Sequence, residues 1–530
     1  MNDFKQFFGG PYDPSLRYPA TATSIAEIWP SNDTDVNHAK DLQALANQSA
    51  VRYVHLNVGN GGIYELYAPL DLNHPISLLA DPGVQLRFHL VDDTSANGLA
   101  WRNSAGAIRV NASHVGLNGF QVRFAGTMAD WNYAASGKDN DNRAVIQMAG
   151  TDSQIDVSIV ALDVEAPSPG SQQPSNLRAI DILKADTLDS GRINNSKFVG
   201  GPIELRGGPW EVLSNDYQGP PARTFSPVFV SAWTAHDLVI RANHAHLKDP
   251  DRMLSGAGDR FFVLKDQGWG NLIQGNLVDG GYGQPTGATY SDPTKGRNAP
   301  ENILTESYSP HYEGWSSISN GGQVLQIGDL RGARPSAGSV VAVLSGASQG
   351  QWRQIAQRID DHTYLLDQPL SADETRIVSI TGGSVGLEVH GNKFDLSKYR
   401  SDGTILTGVD QADNGIQLAG NDYGCQVVDN RFVGAIPFYI HCQTTNNDGT
   451  TDTTAPGPYG TNSAPEKWTR GPILGLVMTG NTFEFESGAS PTSVLTMEQA
   501  SDRAYTSGRV YLSGTVSDNS FQYKSTPTAA

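Results

Sequence analysis

Along most of the chain, Val, Ile and Leu alternate with Asn, Gly and Asp in runs of a few residues, the period-two pattern of short half-buried strands. One phrase recurs. It reads VGLNGFQVRFAG at 115–126, SGRINNSKFVGG at 190–201, WEVLSNDYQG at 210–219, HDLVIRANHAHL at 236–247 and GNLIQGNLVDGG at 270–281. Later copies are VGLEVHGNKFDL at 385–396, CQVVDNRFVGA at 425–435, GLVMTGNTFEF at 475–485 and SGTVSDNSFQY at 513–523. Each joins a strand to an Asn and then to an aromatic or aliphatic residue, as at Asn215, Asn276, Asn392, Asn430, Asn481 and Asn519. Asn tolerates the left-handed backbone of a tight corner, and its amide can bond to the same Asn of the next copy, so these residues are expected to turn the chain and stack. The irregular spacing between copies excludes a strict short-repeat solenoid and suits coils with one fixed corner and loops of free length.

Ahead of the first strands, DVNHAKDLQALANQSA places Val36, Ala39, Leu42, Leu45 and Ala46 on one helical face, which predicts a helix covering the open edge of the first coil. Two segments interrupt the repeat. Between Asn276 and Asn392, QVLQIGDL, GSVVAVLSG, QWRQIAQRI, HTYLLDQPL and TRIVSITGG read as five strands of a small inserted β-module over 321–383. Residues 443–472, rich in Thr, Asn, Gly and Pro, read as a long loop. The organisation expected is therefore an extension and helix over 1–50, a first run of coils over 51–320, the module, and the remaining coils over 384–530.

These repeats resemble the right-handed parallel β-helix of the pectin-lyase-like superfamily over roughly residues 50 to 525, so the expected fold is all-β, a solenoid with a capping helix and an insertion. The resemblance implies an extended glycan as partner, bound in a groove on the outside of the coils, because stacked side chains fill the interior. It also implies homo-oligomers, and an extracellular or periplasmic setting although MNDFKQFFGGPYDPS lacks the regions of a signal peptide. Residues 161–183 are similar to the segment before the catalytic aspartates of polygalacturonase-type hydrolases. There the chain departs, with Ser175-Asn176-Leu177 and Gly200-Gly201-Pro202 where those enzymes carry their Asp motifs, so none of their catalytic residues transfers.

Composition narrows the chemistry. A formal charge of −18 gives no general attraction to nucleic acid or an anionic membrane, and no run of 18 apolar residues is present. Cys425 and Cys442 are too few for a disulfide scaffold and are read as small buried side chains.

The stretch ENILTESYSPHYEGWSSISNGG at 301–322 breaks the pattern by gathering carboxylates and aromatic rings. Tyr308, Tyr312 and Trp315 offer flat apolar faces to sugar rings, with His311 among them, and Glu306 and Glu313 are candidate acid and base or nucleophile. In DRFFVLKDQGWGN, Asp266 is the expected carboxylate partner of Glu306, and Arg260, Lys265 and Trp269 are expected to bind substrate. The competing reading is a charged surface loop whose rings pack on the module. Asp181 and Glu204 are further strand-embedded carboxylates on other coils, while Asp410, Asp413 and Asp422 form a third candidate group in which Asp413-Asn414-Gly415 is turn chemistry and favours a structural role.

The leading function is a glycoside hydrolase working through a carboxylate pair, with no cofactor and no metal ligands. A polysaccharide lyase is the alternative, its base drawn from Arg260 or Lys265 in the locally positive segment 241–265 and calcium as its cofactor. A non-catalytic glycan-binding β-helix, such as a tail fibre or adhesin, is the third reading. His244 and His246 share a strand face, but the sequence identifies no third metal ligand beside them.

Overall fold

The computed structural model describes residues 25–31, 36–90, 101, 104–127, 143–148, 156–167, 177–182, 190–218, 228–247, 260–279, 301–306, 312–328, 334–371, 375–396, 414–418, 420–434, 438–441, 472–486, 495–498 and 512–524. They belong to two compact units, 1–230 with 238–255, and 231–237 with 256–530.

The first unit is a parallel β-helix whose coils carry up to three strands each. One ladder runs through Ile25–Ile28, Tyr53–Leu56, Ser77–Ala80, Val115–Asn118, Asp156–Val160, Ser190–Asn194, Trp210–Leu213 and Leu238–Arg241, every pair parallel. A second ladder stacks Leu70–Leu72, Gly106–Val110, Arg143–Met148, Leu177–Ile182 and Ile203–Gly207. Register aligns Leu70, Ile108, Ile146, Ile180 and Ile203, all fully buried, as one inward row, which is why these strands repeat an Ile-x-Ile-like phrase.

The helix His38–Ala46 covers the sheet edge as expected, and side chains do the pairing a missing strand would do. Gln43 donates to the Asp71 carbonyl at 2.9 Å and accepts from the Asp71 amide at 2.8 Å. Asn37 Oδ1 accepts from Ala39 N at the helix start and from Tyr67 N, and His38 Nδ1 accepts from Glu65 N. The strand Ile25–Ile28 precedes the helix, so the parallel stack begins one strand earlier than the sequence reading placed it.

The second unit is likewise built of parallel ladders up to the last copy of the repeat, and its asparagines stack as predicted. Asn276 donates to Asn392 Oδ1, Asn392 to Asn430, Asn430 to Asn481 and Asn481 to Asn519, with amide-to-amide distances of 2.8 to 3.1 Å. Asn215 and Asn243 do the same in the first unit. The left-handed residue, however, is the one before each Asn: Ser214, Ala242, Gly275, Gly391, Asp429, Gly480 and Asp518 all have φ between 54° and 69°. The corner therefore belongs to that residue, and the Asn is the buried strut beside it. Two positions further on, Phe394, Phe432, Phe483 and Phe521 stack at 5.1 to 5.3 Å, the aromatic column that the phrase implied, its first three rings buried and Phe521 exposed.

The inserted module is a closed six-stranded antiparallel barrel of Tyr312–Ser319, Val324–Ile327, Val340–Val343, Trp352–Arg358, Thr363–Leu366 and Thr375–Thr381. It begins at Tyr312 rather than at 321, because YEGWSSIS is itself a barrel strand. Its outer side packs Val340, Ala342, Leu344 and Ile377 on Tyr423 and Leu474 of the coils, with Trp352 against the cluster. Cys425 is a buried free thiol, and Cys442 lies outside the described residues. Among the described residues no helix is long and apolar enough to cross a membrane.

Candidate functional site

Because apolar side chains fill the coil interior, chemistry has to come from positions that alternate outward. In the first unit one such row follows the inward isoleucines by one residue: Asp71, Arg109, Gln147, Asp181 and Glu204 are Cα partners on successive coils. Arg109 clamps Asp71 through Nε and Nη2, both at 2.5 Å. At the other end Asp181 and Glu204 share Arg178, whose Nη1 stands 3.3 Å from Asp181 Oδ2 and whose Nε contacts Glu204 Oε2; Arg206 Nη2 reaches Glu204 Oε1 at 3.1 Å.

Asp181 is 0% and Glu204 2% exposed although both belong to the outward row. Burial pushes the Asp181 carboxyl up to about 6, Arg178 opposing the shift and Glu204 adding to it. Asp181 Oδ1 has no hydrogen-bond partner among the described residues. A carboxyl that holds its proton up to about pH 6, beside another carboxyl contacted by two guanidinium groups, is suited to donate a proton next to a held acidic partner. The sequence reading named both residues without pairing them, since only strand register makes neighbours of them.

In the second unit the strand Arg260–Trp269 runs beside Glu301–Glu306, and register sets Lys265, not Asp266, opposite Glu306. Lys265 Nζ lies 5.0 Å from the ring centroid of Trp233, a cation over an indole face. The ring of His236 stacks on Trp269 at 4.5 Å and 2°, and the barrel turn at Gly338 comes close to the Gln267 side-chain amide. Lys265, Trp233, His236 and Trp269 are all part-exposed, so this face presents indoles and a cation along neighbouring strands, with the Glu306 backbone in line.

The other expected site residues are dispersed. Tyr312 does not offer a ring to substrate: it is 4% exposed in the barrel core, and its hydroxyl donates to the Trp315 carbonyl and accepts from Gly328 N. Trp315 is 50% exposed on the same barrel strand. Arg260 starts its strand five positions before Lys265. The side chains of Asp266, Glu306 and Glu313, and the whole of Tyr308 and His311, lie outside the described residues. Trp233 was missed, because SAWTAH carries no mark that separates it from any other strand.

Asp422, of the third candidate group, is fully buried, Thr305 Oγ1 donates to its Oδ2 at 3.1 Å, and burial holds its carboxyl well above the usual range.

The chain is thus a parallel β-helix protein with an inserted barrel and charged and aromatic outward rows. No protein-family model and no curated protein matches it. Among solved structures, a mutant of the periplasmic alginate epimerase AlgG is 10% identical with a TM-score of 0.36, over 89% of this chain and 84% of that one. A double mutant of the tailspike protein of E. coli bacteriophage HK620 is 11% identical with a TM-score of 0.36, over 97% of this chain and 77% of the tailspike. Likenesses at these values assign no activity, which has to be argued from this chain's own residues.

Proposed function

We propose that the protein is a carbohydrate-active enzyme that holds an extended glycan along the outward face of its second unit and cleaves it by hydrolysis. The observation that carries this reading is the row formed by Trp233, Lys265 and the Glu306 position. An indole supplies a flat apolar face for a sugar ring, the ammonium over it pairs with hydroxyl or acidic groups, and a carboxylate follows on the next strand in register. Glu306 is assigned to the chemistry, with Asp266 or Glu313 as its second carboxylate, and Lys265, Trp233 and Trp269 to binding. The lyase reading, with Arg260 or Lys265 as base, differs in its products, which would be unsaturated and absorb in the ultraviolet.

Affinity electrophoresis through gels containing neutral or acidic polysaccharides tests the binding half. Wild type is expected to be retarded by at least one of them, and Trp233→Ala to run freely while keeping its thermal midpoint. Equal retardation of the two proteins would remove the indole from the glycan site.

A second reading of the catalytic groups is favoured by the raised Asp181 carboxyl: Asp181 as acid and Glu204 as nucleophile or base in the first unit. Strands one coil apart are separated by about 4.8 Å, which is near the carboxyl spacing of retaining glycosidases. The pair is covered in the structure, so this reading requires the coil face to open.

A further inference from the structure

We infer that Asp216, His244 and His246 form a binding site for a divalent transition metal of the zinc type on the first unit. The strands Asp216–Gln218 and His244–His246 are parallel neighbours, with Asp216 the Cα partner of His244 and Gln218 of His246. Residues two apart on a strand share a face, so both imidazoles stand on the side that carries the carboxylate. One ligand atom from each of the three residues lies within 4.8 Å of the others, and all three residues are part-buried.

The backbone holds this arrangement before any ion arrives. Asn215 and Asn243, immediately ahead of Asp216 and His244, are bonded at 2.9 Å, and Tyr217 and Ala245 are fully buried on the opposite face. Neither strand can slide without breaking that asparagine contact, so the donors keep their register.

The donor set selects the ion. Two imidazole nitrogens and one carboxylate oxygen suit Zn²⁺ with a fourth position open to water, whereas calcium and magnesium call for oxygen ligands. His246 Nε2 stands 2.8 Å from Asp216 Oδ1, yet that oxygen is buried without a hydrogen bond among the described residues. The two atoms are close in distance but poorly aligned for a proton between them, and a metal needs no such alignment. Bonds of about 2.0 to 2.2 Å in a tetrahedron separate ligand atoms by roughly 3.3 Å, so the contact has to widen by about half an ångström. With side chains 43% and 48% exposed, His246 and Asp216 have room to do so. The imidazole rings, 3.7 Å apart at their centroids, have to turn their nitrogens toward one point. Lys197, the Cα partner of Asp216 on its other side, is exposed.

Co²⁺ titration of the full chain, freed of any affinity tag and treated with chelator, is the test. Wild type is expected to take one equivalent with the visible absorption of tetrahedral cobalt, Zn²⁺ is expected to displace it, and Zn²⁺ is expected to raise the thermal midpoint. His246→Gln and Asp216→Asn should each weaken binding by about a hundredfold or more, beyond the ten- to hundredfold cost of outer-shell changes. Both variants should keep the metal-free midpoint of wild type. The inference is overturned if wild type binds no Co²⁺ at micromolar protein, or if both variants bind as wild type does. Should either variant fail to fold, His244→Gln takes its place with the same expectation.

Discussion

Thr305 and Asp422, which flank the inserted barrel in sequence, meet inside the second unit, where Thr305 Oγ1 donates to Asp422 Oδ2 at 3.1 Å. Both are at most 1% exposed, and Asp422 Oδ1 has no hydrogen bond among the described residues. Charge at that place is costly, and burial raises the Asp422 carboxyl well above its usual range, with the Thr305 hydrogen bond opposing the shift.

That raised carboxyl makes stability depend on pH. In the unfolded chain the Asp422 carboxyl titrates near 3.8, and in the folded chain well above it, so its contribution is complete below 3.8 and is lost as pH rises toward the folded value. Asp422→Asn should therefore gain on wild type by up to about 1.4 kcal/mol per pH unit over that interval. Paired urea melts of the two proteins from pH 4 to pH 8 check it; a difference that does not change with pH would mean that Asp422 is ionised inside the coil.

The asparagine column should be local and costly to break. Asn430 bonds Val389 O, Val428 O and Asn481 Oδ1 through its amide nitrogen, and its oxygen accepts from both Asn392 N and Asn392 Nδ2. Asn430→Ala leaves several buried groups unpaired at about 1 to 3 kcal/mol each, so a loss of roughly 3 to 5 kcal/mol is expected. Asn430→Asp should be at least as damaging at neutral pH, since a carboxylate cannot donate to those acceptors. Hydrogen exchange should show lost protection in the neighbouring coils and little change in the barrel.

Asp181 has the same sign of pH dependence over a narrower window. Its contribution is complete below 3.8 and lost as pH rises through about 6, so Asp181→Asn should gain about 3 kcal/mol on wild type between those limits. A pH-independent difference would show that the carboxyl titrates normally in the folded chain.

The repeats made the coils legible because one phrase carries three physical duties: a left-handed corner, a buried amide strut and an inward ring. Asn392 and Phe394 announce the column that runs to Asn519 and Phe521. The corner was assigned to the wrong member of the phrase, since Asn and the residue before it both suit a turn, and only backbone angles separate them. Register is what sequence hides. Asp181 beside Glu204, Lys265 beside Glu306 and Asp216 beside His244 are neighbours fixed by strand pairing across loops of unequal length. Tyr312 misled for a different reason: a tyrosine among carboxylates reads as a sugar platform, while the barrel strand turns that ring into its core.

Cleavage of a polysaccharide panel by wild type, Glu306→Gln and Asp181→Asn, with reducing ends and ultraviolet absorbance read together, decides between hydrolysis at Glu306 and the other chemistries. Reducing ends without absorbance are expected, reduced about a hundredfold or more in Glu306→Gln and kept in Asp181→Asn. Unsaturated products that absorb and persist in Glu306→Gln would contradict hydrolysis at that residue, and loss confined to Asp181→Asn would move the chemistry to the first unit.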